Sequence, residues 1–287
     1  MKLLSFAVNE KPHVGAKLSG GVFDLSAAGY LRDFSETIRD FRDAEKEIRA
    51  LCDRNPLPLL DEKSLSYLPP ASAAAKILCV GLNYKLHVDE AHKGAGEPEY
   101  PKDPILFSKF NNALNAHNGP VSLSSNARQY DYEAELVVVI GKSCRDVAKE
   151  NAADYIFGYT CGNDLSARDA QRLTSQWLIG KSFPGFAPAG PWIVTADEID
   201  PFNLAISCRR GDRVVQNGNT SQMIFDVYTI VSFASRYIQL EPGDLIFTGT
   251  PNGVILGGEG DQQKWLEAGE EVTVTIEQIG DLRTVFV

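Results

Sequence analysis

The sequence predicts an α+β chain, mostly β, and two observations carry that prediction. Short β-like runs at 77–80, 105–107, 135–140, 157–160, 191–194, 204–208, 245–248 and 271–277 outnumber the helical stretches near 146–155, 166–178 and 222–238. The two kinds do not alternate, which argues against a doubly wound sheet of strand–helix–strand units. No internal repeat organises the chain.

Taken in order, residues 1–24 alternate apolar and polar around the turn signals "NEKPHVG" and "SGG", the pattern of short antiparallel strands. In "DFSETIRDFRDAEKEIRALCDRN", Ile38, Phe41, Ile48 and Leu51 recur at helical spacing, and Asp33 or Ser35 can cap the start. The Pro/Ala/Ser stretch 66–76 has no periodicity and reads as a linker. It divides the chain into a small N-terminal domain, 1–70, and a larger domain, 71–287. The polar, Gly- and Pro-rich segment 84–103 lacks the apolar side chains to stay ordered alone, and reads as a surface loop or as a lid that orders over a ligand.

Composition bounds the function. The chain has 287 residues, 44% hydrophobic and 23% charged, with a formal charge of -10. No run of Lys or Arg offsets that charge, so nucleic acid is excluded as a partner. The start "MKLLSFAVNEKPH" is too short in apolar residues for a secretory signal, and no stretch reaches membrane-spanning length. Five cysteines without a C-x-x-C pair read as reduced thiols in a cytoplasmic protein.

The chemistry-bearing residues begin at "RQYDYEAELVVVI", where Asp131, Glu133 and Glu135 alternate into an apolar block. On a strand they share a face, where like charges repel unless a cation sits among them. Asp164, at the end of another β-like run, adds a further carboxylate. Oxygen donors suit Mg²⁺ or Mn²⁺, whereas no Cys or His spacing suits zinc. A solvated acidic strand face fits the same spacing. His87 and Glu90 in "GLNYKLHVDEAH" are three apart, hence neighbours on a helical turn: a general-base pair or a plain surface contact. Lys181, flanked by Ile179, Gly180 and Phe183, reads as a partner for an acid or for a developing oxyanion. Thr250 lies on a Gly/Pro turn whose N–H groups can receive a carboxylate, or which is an ordinary tight turn.

The order of the motifs adds what no single one gives. "GLNYKLHVDE", "PILFSKF", "DYEAELVVVIG", "GYTCGNDLSARDAQ", "GKSFPGFAPAGPW", "VVQNGNTSQMIF" and "LEPGDLIFTGTPNGV" together closely resemble the fumarylacetoacetate hydrolase superfamily over roughly residues 76–287. The resemblance implies a mixed β-sandwich roll with a small N-terminal α/β module, usually as a homodimer. It implies Glu133, Glu135 and Asp164 as ligands of Mg²⁺ or Mn²⁺, with Asp131 supporting them from outside. His87 and Glu90 would activate water, and Lys181 would stabilise the enolate. Thr250 would anchor the substrate carboxylate, Gln171 would line the pocket, and Lys109 would face the same cavity. Arg168 and Asp169 would pair with each other behind the site. The implied substrates are small 2-keto or 2,4-dioxo acids such as acylpyruvates, or sugar-derived 2,4-diketo-3-deoxy acids. The implied reaction is hydrolysis of a C–C bond to pyruvate plus an acid. Oxaloacetate decarboxylation, isomerisation of an unsaturated dioxo acid and an inactive keto-acid binder are the alternatives.

Overall fold

The computed structural model describes residues 1–54, 57–70, 75–92, 99–258, 260 and 263–287. Its main sheet runs, from one edge to the other, Gly21–Asp24, Lys11–Leu18, Lys2–Val8, Ala187–Thr195, Ile156–Asn163, Ala134–Ile140, Leu245–Phe247, Ile77–Gly81 and Ile105–Lys109. A second sheet orders Arg213–Asn219, Ala205–Arg210, Glu271–Ile276, Gly280–Phe286 and Pro120–Val121. The sheets meet face to face around Ala134–Ile140 and Ile156–Asn163, every residue of which is buried. Hydrogen bonds tie the seam, among them Trp192 Nε1 donating to the Ile279 carbonyl at 2.7 Å. The fold is the mostly-β mixed sandwich that the sequence predicts.

Several elements differ from expectation, each for a local reason. The stretch 33–54 is two helices, Phe34–Arg39 and Phe41–Arg54, and Asp33 rather than Ser35 caps the first through a capping box with Glu36. The helix expected over 166–178 is a short strand, Ser166–Ala167, then helices Arg168–Gln171 and Leu178–Lys181. Between them Thr174 bonds the backbone of Gln176 in both directions, and such local side-chain bonds compete with a helix. The stretch near 146–155 is a 3₁₀ turn, Lys149–Tyr155, and the last helix starts only at Val227, after Asp226 accepts from the Thr229 N–H at 2.8 Å.

Within 66–76, Ser66–Tyr67 is a strand paired with Lys2–Val8, while 71–74 lie outside the described residues. Within 84–103, Lys85–Ala91 is a helix, and 93–98 lie outside the described residues. That helix is aimed by the residues before it. Leu82 takes a left-handed φ of 55°, turning the chain out of the strand Ile77–Gly81. Asn83, fully buried, then donates to the carbonyls of Thr248 (2.7 Å) and Phe225 (3.0 Å) and accepts from the Phe225 N–H (2.8 Å). Among the described residues no helix is long and apolar enough to cross a membrane.

Candidate active site

Two chain segments bring three acids to one point. Glu133 and Glu135 lie at the entry to the strand Ala134–Ile140, and Asp164 directly follows Ile156–Asn163. The segments are stitched together by the Asp164 N–H on the Glu133 carbonyl (2.9 Å) and the Glu133 N–H on Asn163 Oδ1 (3.0 Å). All three carboxylates are buried, and their ligand atoms lie within 4.8 Å of one another. Glu135 Oε2 is held by the Gly249 N–H at 2.7 Å.

Cations are wedged among them. Lys181 Nζ sits 2.5 Å from Glu133 Oε2 and 2.7 Å from Asp164 Oδ2. Arg168 bridges Asp131 Oδ2 (2.9 Å) and Glu133 Oε1 (2.6 Å). Lys109 Nζ lies 2.5 Å from Asp164 Oδ1. Four acids, Asp131, Glu133, Glu135 and Asp164, thus face three cations, and Glu135 is the one that none of the three pairs with. Burial pushes the Glu135 carboxyl well above its ordinary range, and the neighbouring Asp164 and Glu133 charges push it further. Burial acts the same way on Glu133, but Arg168, Lys181 and His87 outweigh it and hold that carboxyl low. Lys181 is lowered by burial and raised by more by Asp164 and Glu133, so it stays charged. A buried, acid-only oxygen set in which Glu135 has no cation of its own among these three suits a hard divalent cation such as Mg²⁺ or Mn²⁺. Glu133, Glu135 and Asp164 fit that role.

The acids form the floor of a cavity of about 210 Å³, whose wall includes His87, Gln171, Lys181 and Thr250. His87 Nδ1 lies 3.3 Å from Glu90 Oε2, and both Glu90 oxygens accept from the Gly253 N–H at 3.1 Å. Hydrogen-bond logic fixes two more groups. Gln216 Oε1 accepts from the Ala134 N–H, so its amide nitrogen faces Thr250 Oγ1 and donates to it at 2.9 Å. With its oxygen so engaged, the Thr250 hydroxyl is free to donate. Arg168 Nη1 donates to Gln171 Oε1 at 3.1 Å, and because arginine has no acceptor, the Gln171 amide must turn its N–H₂ elsewhere. Both residues therefore stand as donors suited to an anion.

The structure thus brings together Glu133, Glu135, Asp164, Lys181, His87, Gln171 and Thr250, with Glu90 behind His87. Lys109 touches this group only from below, through Asp164 and the Lys181 carbonyl. It is fully engaged beneath Asp164, donating to the carbonyls of Leu165 (2.8 Å), Lys181 (2.8 Å) and Phe186 (2.7 Å), and does not line the cavity. The expected Arg168–Asp169 pair does not form. Arg168 lines the cavity with its charge on Asp131 and Glu133, and Asp169 instead caps the N–H groups of Arg128 and Ala170. Sequence reasoning missed Gln216, the Gly253 N–H, and the aromatic side of the cavity, Phe107 and Trp177. Gln216, Phe107 and Gly253 each lie within a motif that carries the resemblance, "VVQNGNTSQMIF", "PILFSKF" and "LEPGDLIFTGTPNGV", but nothing in those motifs marked them out, and Trp177 lies in none.

Comparison with known proteins identifies the family. The family described as Fumarylacetoacetate (FAA) hydrolase C-terminal matches residues 76–287. A Dictyostelium discoideum protein, fumarylacetoacetate hydrolase domain-containing protein 2 homolog, is 38% identical over 308 residues, covering 98% of this chain and 96% of its own. The Rattus norvegicus oxaloacetate tautomerase Fahd2a, mitochondrial, is 36% identical over 289 residues, covering 98% of this chain and 90% of its own. The structure of maleylpyruvate hydrolase from Sphingobium sp. SYK-6, in complex with manganese(II) ion and pyruvate, has a TM-score of 0.81 at 28% identity, covering 100% of this chain and 99% of that one. With the profile spanning 76–287 and relatives aligned over nearly its whole length, the chain belongs to the fumarylacetoacetate hydrolase family, whose members are enzymes.

Proposed function

We propose that this chain is a divalent-cation-dependent tautomerase that interconverts the keto and enol forms of oxaloacetate. One observation carries the reading: an imidazole in the wall of a small cavity, with a carboxylate on its Nδ1, stands beside a buried acidic triad. The rat relative named an oxaloacetate tautomerase, alike over 98% of this chain, supports the choice of reaction.

Glu133, Glu135 and Asp164 would hold Mg²⁺ or Mn²⁺, which when bound polarises the substrate keto oxygen. Thr250 and Gln171 donate hydrogen bonds to the substrate carboxylates. Glu90 accepts from Nδ1–H of His87, which leaves the Nε2 lone pair as the base. His87 takes a proton from C3, the C3–H electron pair becomes the C2–C3 double bond, and the imidazolium returns the proton to the keto oxygen. Lys181 places its charge beside the oxygen on which negative charge develops.

A second reading, hydrolysis of 2,4-dioxo acids, uses the same His87–Glu90 pair to activate a water that attacks C4. The C3–C4 bond then breaks to release pyruvate and an acid. The pyruvate and manganese in the maleylpyruvate hydrolase structure favour it. Loss of enol-oxaloacetate absorbance with Mg²⁺ or Mn²⁺ tests the first, and pyruvate release from acylpyruvates tests the second. Enol loss should quicken on adding protein, and His87→Gln should slow it roughly 10²- to 10⁴-fold while Mn²⁺ binding persists. No acceleration by the metal-loaded protein overturns the tautomerase reading.

A further inference from the structure

One side of the cavity has no part in the chemistry above. Trp177, at the start of the helix Leu178–Lys181, and Phe107, on the edge strand Ile105–Lys109, meet edge to face with ring centroids 5.3 Å apart. Lys181 Nζ lies 5.1 Å from the Phe107 centroid while bonding Glu133 and Asp164. The aromatic pair therefore begins one ring away from the charged floor. Across from the indole is Gly81, and a Cβ there would lie 2.4 Å from Trp177 Cζ3 and 2.9 Å from Cη2. Gly81 ends an ordinary strand and is not among the residues of positive φ, so turn geometry does not call for a glycine. What it supplies is room for the indole.

We propose that Trp177, seated by Gly81 and Phe107, is the specificity-determining residue that restricts the site to short, unbranched 2-oxo acids. The inference rests on the 2-oxo acid reading above and adds the substrate's size to it. A cavity of about 210 Å³ lies below the roughly 300–1,000 Å³ of sites for drug-sized ligands. Removing the indole lengthens the cavity on its apolar side and leaves the carboxylates, His87 and Thr250 in place. A longer alkyl or aryl tail gains contact there, whereas a four-carbon acid gains nothing.

The test compares wild type with Trp177→Ala, Trp177→Phe and Gly81→Ala, all loaded with Mn²⁺. The ratio of kcat/KM for a long-chain acylpyruvate to that for oxaloacetate should rise roughly 10- to 100-fold in Trp177→Ala and less in Trp177→Phe. In Gly81→Ala the displaced ring should alter KM more than kcat. A ratio within twofold of wild type in both Trp177 variants, each folded by circular dichroism, overturns the assignment. If wild type turns over no 2-oxo acid, the functional reading fails, and Trp177 is judged by calorimetry with oxamate and N-hexyl oxamate. Tighter binding of N-hexyl oxamate alone in Trp177→Ala supports the size limit, and an equal change for both overturns it.

Discussion

Thr250 shows how a residue's role is set by partners it does not choose. Gln216 takes up its hydroxyl oxygen and so turns its proton outward. Thr250→Val keeps the shape and removes the donor. KM for oxaloacetate should then rise roughly 10-fold or more with kcat nearly unchanged, because a hydrogen bond to a charged group is lost. Steady-state kinetics checks it, and an unchanged KM would remove Thr250 from substrate binding. At this scale the acids were readable, since alternation along a strand places Glu133 and Glu135 on one face. Lys109 was not. Its environment is made by the carbonyls of Leu165, Lys181 and Phe186, from parts of the chain 56–77 residues away, and nothing in "FSKF" encodes them. Arg168 likewise met Asp131, 37 residues back, instead of adjacent Asp169.

The helix Lys85–Ala91 and the turn around Ile255–Gly257 work as one element. Glu90 reaches the Gly253 N–H, and a Cβ at Gly257 would lie 2.0 Å from Glu90 Cγ. Asp131 anchors the turn by accepting from the Ile255 N–H (2.8 Å) and Leu256 N–H (3.0 Å), the same carboxylate that holds Arg168. Gly257→Ala should therefore push Glu90 off His87 and lower kcat by about 10²-fold, a cost typical of misplacing a catalytic group by an ångström. Thermal melting should change little by comparison. Retained kcat in the folded variant would show that Glu90 need not sit where it does. From sequence, the i, i+3 spacing gave the pair His87–Glu90, and the cap was narrowed to Asp33 or Ser35, of which the structure uses Asp33. The break of the 166–178 helix could not, because Thr174 turns its hydroxyl back on the chain instead of outward.

For the whole molecule, the acid limb of stability has an identifiable contributor. Burial, aided by the Arg283 charge, lowers His117 from 6.5 to about 4. Its Nδ1 accepts from the Arg283 N–H at 3.1 Å, which only a neutral ring can do. The unfolded chain takes up this proton near pH 6.5 and the folded one only near pH 4, so stability falls as pH drops through that window. The loss is on the order of 3 kcal/mol for this one group. Urea melts at pH 7 and pH 4.5 should differ less in His117→Asn than in wild type, and an equal difference would exonerate the histidine. The mostly-β architecture was legible from the count of apolar runs. The joining of the first strands to the main sheet was not, because strand order depends on partners remote in sequence. Lys2 and Leu3 pair with Val194 and Ile193, and Leu3, Leu4 and Phe6 are fully enclosed. A chain trimmed of its first 70 residues would carry an uncovered, sticky flank along Ala187–Thr195, open to recruit a stray strand from another molecule. The opening segment would therefore guard solubility by covering that flank.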